Sequence, residues 1–74
     1  MIEEEIRDSI LSGIPKATVE VLVEGNRATI TVVSSTFAGL SRVKCHQSVY
    51  QYLHNYISTG VLHAVTINAT HDEQ

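Results

Sequence analysis

The side chains that could do chemistry cluster in one short segment, SRVKCHQSVYQYL, at residues 41–53. It contains Cys45, the only cysteine of the chain, between Lys44 and His46. A helix N-terminus and a neighbouring cation both stabilise a thiolate, the form of cysteine that attacks electrophiles and binds metals. Three interpretations of Cys45 are therefore open: a reactive thiol, a metal ligand, or a small buried apolar residue.

A catalytic Cys45–His46 pair is disfavoured by geometry. Adjacent residues on a helix point about 100° apart, so the imidazole is poorly placed to take the thiol proton. The sequence also has no catalytic triad, no usefully spaced pair of carboxylates and no phosphate-binding loop, so we do not expect an enzyme. One cysteine excludes an internal disulfide, and it excludes a zinc site with more than one thiolate from this chain.

His63 is the second candidate ligand, and the alternative is a structural histidine at the edge of a strand. His54 is expected to face solvent, and His71 falls in the polar tail. Arg42 and Lys44 make the segment around Cys45 locally basic, although the formal net charge of the chain is -3. That overall charge argues against strong non-specific nucleic-acid binding. A solvated surface, a partner contact and a nucleic-acid contact all remain open for these cations.

The 74 residues predict one domain, with an ordered core at about 2–69 and a polar tail at 70–74. No apolar run approaches the ~20 residues that span a bilayer, so no membrane association is expected. The N-terminus, MIEEEIRDSI, is acidic and lacks the basic and apolar regions of a signal peptide. We therefore expect a cytoplasmic protein.

Residues 2–12 are predicted to form a helix, because Ile2, Ile6 and Ile10 recur at helical spacing. Gly13 stands where a helix C-cap is expected. The segment ATVEVLVEGNRATITVV alternates β-branched and polar residues on both sides of Gly25-Asn26. This pattern predicts a β-hairpin with a two-residue turn.

A short helical turn is predicted near Ser41, followed by a longer helix at about 46–58 whose buried face carries Val49, Tyr50, Leu53, Tyr56 and Ile57. LHAVTINA then alternates again and predicts a third strand. The order is α-β-β-α-α-β. A right-handed parallel crossover between the second and third strands would place all helices on one face of the sheet. The other face would then be more polar, lined by Thr29, Thr31, Thr66 and Asn68.

From residue 37 onwards the sequence resembles the BolA family, most closely its acid-stress (IbaG-like) branch. The shared pattern Phe-x-Gly-x-Ser-Arg-Val-Lys is present, and further positions agree with it in order and spacing. The matching residues are Phe37, Gly39, Ser41, Arg42, Val43, Lys44, His46, Gln47, Val49, Tyr50, Leu53, His63, Ala64 and Val65.

The resemblance implies an α+β, KH-like fold with a three-stranded mixed sheet and helices on one face. It also implies a monothiol (CGFS-type) glutaredoxin as partner, with a [2Fe-2S] cluster shared between the two proteins. The family histidine at the start of the third strand corresponds to His63. A second ligand in the family comes from the loop between the first two strands, here Glu24-Gly25-Asn26-Arg27, which has neither His nor Cys. The family's final helix has no counterpart after Ala69, which predicts a short member.

Two functions therefore compete. The first is an adaptor that binds a monothiol glutaredoxin and a shared [2Fe-2S] cluster, in iron-sulfur trafficking or in iron or stress regulation. In it His63 is the metal ligand, Cys45 is a weaker candidate, and the segment from Arg42 to His46 forms partner surface. The second is a stress-responsive transcriptional regulator that contacts DNA through Arg27, Arg42 and Lys44. Either could be a monomer or a weak homodimer.

Overall fold

Three helices and three strands follow one another over residues 2–71, the part of the chain that this computed structural model describes. Their bounds are α1 Ile2–Gly13, β1 Thr18–Glu24, β2 Arg27–Val33, α2 Arg42–Tyr50, α3 His54–Ser58 and β3 Ala64–Thr70, with a 3₁₀ turn at Ser35–Phe37. This is the predicted order and an α+β fold. Of the predicted polar tail, Thr70 ends β3, while residues 72–74 lie outside the described residues.

The sheet has the strand order β1-β2-β3, with β2 in the centre. β1 and β2 form the predicted antiparallel hairpin, in which Glu24 pairs with Arg27 across Gly25-Asn26. β2 and β3 pair in parallel, from Arg27–Ala64 to Val33–Thr70. The crossover that joins them contains α2 and α3, and parallel strands require such a long connection.

The core lies between the helices and one face of the sheet. β2 contributes Ala28, Ile30 and Val32 to it, and α1 contributes Ile6 and Ile10. The remaining buried hydrophobic residues are Ile14, Phe37, Cys45, Val49, Leu53 and Leu62. On the opposite face Thr29, Thr31, Thr66 and Asn68 are exposed or half-buried, as the alternation predicted.

The division of the second helical region differs from the prediction. We predicted a short turn near Ser41 and a helix at about 46–58, but α2 already begins at Arg42 and the break falls at residues 51–53. Ser41 is an effective N-cap, because its hydroxyl accepts a 3.2 Å hydrogen bond from the backbone N–H of Lys44. The break is a tight turn, in which the N–H of Leu53 donates to the carbonyl of Tyr50 at 2.8 Å. The turn buries the Leu53 side chain completely.

Gly13 has a different role from the predicted C-cap. It is the last residue of α1 and does not have a positive φ; the left-handed residue in this connection is Lys16, with φ 71°. A Cβ on Gly13 would overlap the phenol ring of Tyr52. The glycine therefore permits a close approach between α1 and the turn that follows α2.

The third strand begins two residues later than predicted, at Ala64 instead of Leu62. Leu62 is buried in the core, whereas His63 is exposed and lies just before the strand. Val65 and Ile67 are half-buried and pack against the core.

Candidate functional site

His63 lies where the crossover chain reaches the turn between β1 and β2. Its backbone N–H donates a 2.7 Å hydrogen bond to the carbonyl oxygen of Asn26, and the N–H of Ala64 approaches the same oxygen at 3.4 Å. The side chain of His63 is exposed. The imidazole is thus exposed to solvent, while the backbone at His63 and Ala64 is held against the hairpin turn.

Local sequence explains this placement. Gly25 has φ 62°, a left-handed conformation that glycine adopts without a steric penalty, so the hairpin closes with two residues and its Asn26 carbonyl faces β3. On the other side Gly60 has φ 82° and turns the chain after α3. Leu62 is then held by its buried side chain and by a 3.0 Å hydrogen bond from its N–H to the carbonyl of Tyr56.

The hairpin turn next to His63 supplies charge but no second strong ligand for a soft or borderline metal. Arg27 pairs in register with Ala64, so its backbone adjoins the residue that follows His63. Within residues 2–71 no group of three or more His, Cys, Asp or Glu side chains is arranged to hold a metal ion. At this end of the sheet the described chain therefore offers one exposed imidazole with an exposed arginine nearby.

Cys45 lies at the other end of the sheet. Its side chain is only 5% exposed, and its thiol is 3.9 Å from the carbonyl oxygen of Phe37, to which it donates. Together with Ala69 and Thr70 it lines a depression at the carboxyl end of β3. That end is roughly 20 Å from His63, at about 3.3 Å per strand residue. The two candidate ligands of this chain thus cannot belong to one mononuclear site.

The basic residues that are close in sequence do not form one patch. Arg42 and His46 are four residues apart on α2 and share a face, whereas Lys44 points to the opposite side of the helix. Arg42 borders the depression around Cys45, while Lys44 borders a separate one with Gln47. Arg27 begins β2, at the opposite end of the β2–β3 pair from Arg42. That Arg27, Arg42 and Lys44 contact DNA therefore stays a prediction, with Arg27 far from the two α2 cations.

His46 lies in the middle of α2 and does not open a helix, which corrects the prediction for that residue. Its ring stacks on Tyr50, with the ring centroids 6.1 Å apart and the planes 14° from parallel. Tyr50 is half-buried. His54, on α3, is exposed as predicted.

The sequence interpretation missed one contributor to the site, Asn26. It acts through its backbone carbonyl, which any residue type could supply, so residue identity gave no signal for this contact. The available signal was the two-residue turn itself, which fixes where the last carbonyl before β2 points. Among residues 2–71, no helix is both long and apolar enough to cross a membrane.

Comparisons with known proteins agree on one family. A family model described as BolA-like protein matches residues 19–74. The Acid stress protein IbaG of Escherichia coli K12 is 35% identical over 69 residues, covering 93% of this chain and 82% of that protein. A protein from Haemophilus influenzae is 40% identical over 68 residues, covering 89% of this chain and 73% of its own length.

Solved structures of similar proteins share the fold. The solution structure of the XC975 protein is 32% identical and has a TM-score of 0.73, covering 99% of this chain and 91% of that one. The BolA domain of SufE1 from Arabidopsis thaliana is 26% identical, with a TM-score of 0.82 and coverage of 95% and 91%. These similarities extend over nearly the whole described chain.

Proposed function

This chain belongs to the BolA family, and from that premise we propose that it is a cytoplasmic adaptor which binds a monothiol glutaredoxin and shares a [2Fe-2S] cluster with it. The adaptor would serve iron-sulfur trafficking or iron or stress regulation, and the similar Escherichia coli protein is named Acid stress protein IbaG. His63 would be the cluster ligand that this chain contributes.

The observation that supports this proposal most is the placement of His63. Its side chain is exposed, while its backbone is held by the 2.7 Å hydrogen bond to Asn26. A ligand needs both properties: access for the partner's cluster and a direction set before binding. Imidazole nitrogen is a suitable ligand for iron, and in Rieske-type centres histidine replaces cysteine on one of the two irons.

The residues around His63 fit a shared cluster better than a resident one. Because His63 is the one imidazole at this end of the sheet and the described residues have no exposed thiol, the remaining ligands would come from the glutaredoxin and from thiols bound to it. Arg27, exposed at the start of β2 and paired in register with Ala64, would add positive charge at this end of the sheet, and a thiolate-bound cluster carries net negative charge. Bound this way, the cluster would supply redox or sensing chemistry that the chain alone lacks.

The test is a titration of [2Fe-2S]-loaded monothiol glutaredoxin with this protein, followed by visible absorption and circular dichroism. We expect the cluster spectrum to shift with the wild type and with His54→Ala, which removes an exposed histidine from α3. We expect His63→Ala to give no shift, because the ligand is lost. Cys45→Ala should behave as the wild type, since that thiol is buried and distant.

Loss of function in His63→Ala must be separated from loss of folding. The His63 side chain is exposed and the hydrogen bond to Asn26 uses only the backbone. The free energy of unfolding should therefore change by no more than about 0.5 kcal/mol. If a folded His63→Ala variant shifts the cluster spectrum as much as the wild type does, His63 is not a cluster ligand and this assignment is overturned.

A nucleic-acid-binding regulator is the second candidate, and the composition of α2 supports it. The helix contains Arg42, Lys44 and His46, all exposed, and no acidic residue. If these cations contact phosphates, DNA binding should weaken steeply with salt, and Arg42→Ala with Lys44→Ala should reduce the salt slope by about one unit per lost contact. The net charge of -3 and the division of the cations between two helix faces place this candidate second.

A further inference from the structure

β1 is an edge strand, and the direction of its free backbone groups can be worked out from β2. The carbonyl of Asn26 accepts from His63, and the N–H of Ser34 donates to the carbonyl of Thr70. The backbone N–H and C=O groups of the even-numbered residues in and beside β2 therefore point toward β3. Because these groups alternate in direction along a strand, those of the odd-numbered residues point toward β1: Arg27, Thr29, Thr31 and Val33.

On β1 the partners of these four residues are Glu24, Leu22, Glu20 and Thr18. The N–H and C=O groups of these β1 residues therefore point toward β2 and bond to it. The N–H and C=O groups of the alternate residues, Val19, Val21 and Val23, consequently point to the free edge. Among the backbone hydrogen bonds of residues 2–71 outside helices and ladders, none involves these three valines. Their side chains are half-buried and pack against the core, so only their backbones are available.

This edge lacks several of the devices that protect an exposed strand from pairing. Proteins block such an edge with charged side chains, a proline, a bulge, an inward-pointing charge, a very short strand, or a covering helix or loop. Here the β1–β2 register is unbroken over seven residues, TVEVLVE, and contains no proline. Its charged residues, Glu20 and Glu24, lie on the exposed sheet face and not among the inward-facing valines.

We propose that this edge pairs with the same edge of a second copy, so that two three-stranded sheets become one continuous sheet across an antiparallel β1–β1 junction. The two-fold axis would pass through Val21. Val21 would then pair with its own copy, and Val19 with Val23 of the other molecule. Each of these three pairs exchanges two backbone hydrogen bonds, so every free group of the edge is satisfied.

The charges on β1 favour this register over the one that places its two glutamates opposite each other. With the axis at Val21, Glu20 lies opposite Leu22 of the second copy, and Glu24 lies opposite Thr18. A shift of the axis by one residue, to Leu22, would place Glu20 opposite Glu24, and like charges directly opposite each other destabilise a sheet.

The charge complementarity that favours a second copy comes from α1, which lies beside this edge. Glu3, Glu4 and Arg7 of α1 line a groove together with residues 19–22 of β1. The proposed axis passes through this part of β1, so the same three side chains of the second copy would lie nearby. Arg7 of each copy then lies beside the acidic first turn of the other α1.

Leu22 provides a matched pair of variants that test the register. It is 58% exposed, so charged residues can replace it without disturbing the core. Leu22→Glu would create two symmetric Glu–Glu contacts across the junction, whereas Leu22→Lys would create two Lys–Glu contacts. In sedimentation equilibrium over a concentration series, we expect the wild type and Leu22→Lys to dimerise. We expect Leu22→Glu to dimerise about tenfold more weakly.

Amide hydrogen exchange gives a second, residue-specific measurement on the wild type. The amides of Val19, Val21 and Val23 should become at least about tenfold more protected as the concentration rises through the dimer transition. Those of Glu20 and Leu22 already bond to β2 and should change far less. A wild type that stays monomeric at millimolar concentration, equal dimerisation of the two Leu22 variants, or a dimer without valine protection would each overturn the proposal.

Discussion

The phenol ring of Tyr52 lies in the space that a Cβ on Gly13 would occupy. The contact joins the end of α1 to the turn between α2 and α3. It explains the glycine by close approach, since Gly13 does not have a positive φ.

Gly13→Ala should destabilise the protein, although alanine ordinarily favours a helix over glycine by up to about 1 kcal/mol. The half-buried Tyr52 ring must leave its position, and we expect a net loss of about 1–2 kcal/mol in the free energy of unfolding, measured by urea denaturation. In a Tyr52→Ala background the same substitution should be neutral or stabilising. Equal effects of Gly13→Ala in both backgrounds would contradict the contact.

Capping by Ser41 should be measurable against a second serine in the same helix. Ser41→Ala removes the hydroxyl that accepts from the Lys44 N–H at 3.2 Å, at a cost of about 1 kcal/mol. Ser48→Ala removes only a hydroxyl that donates back to the Lys44 carbonyl within the helix, and alanine is the better helix former there. Urea midpoints should therefore fall for Ser41→Ala and stay level or rise for Ser48→Ala. The reverse order would show that Ser41 does not cap α2.

The buried position of Cys45 predicts slow chemical modification. Because its side chain is 5% exposed, we expect a thiol-specific reagent to label the native protein at least about 100-fold more slowly than the urea-unfolded chain, since labelling requires opening of the structure. Absorbance of the released chromophore gives both rates. Labelling of the native protein at the rate of the unfolded chain would restore a reactive-thiol function for Cys45.

The pKa of the Tyr56 phenol predicts that the protein loses stability at high pH. Burial, and to a smaller degree the negative charge of Glu5, raise the pKa of the Tyr56 phenol above its ordinary value of 10.0. The protonated form is favoured in the folded state. This contribution is fully present below pH 10 and is lost as the pH rises through the raised pKa.

Urea unfolding at pH 8 and at pH 10.5 should show this effect. The wild type should lose more stability between the two pH values than Tyr56→Phe, which has no phenol to ionise. Glu5→Gln, which removes the smaller cause, should lose slightly less than the wild type. Equal losses in the wild type and in Tyr56→Phe would show that Tyr56 does not contribute.

The sequence predicted the element order, the hairpin and the parallel crossover because each depends on local signals: alternation, helical spacing and the Gly25-Asn26 turn. The bounds of α2 and α3 were wrong because no glycine or proline marks the break at residues 51–53, and the break depends instead on burial of Leu53. The role of Gly13 was wrong because it depends on Tyr52, a residue distant in sequence. The position of His63 followed from the family pattern, but its hydrogen bond to Asn26 depends on tertiary structure.

The parallel pairing of β2 with β3 has a consequence for the order of folding. The β1–β2 hairpin closes through a two-residue turn, whereas β3 can pair with β2 only after the whole crossover has closed a long loop. Contacts between residues that are far apart in sequence form slowly. The hydrogen bond from His63 to Asn26 belongs to this late pairing. A nascent or partly unfolded chain would therefore not present His63 in its final direction, and binding through that residue would distinguish completed molecules from incomplete ones.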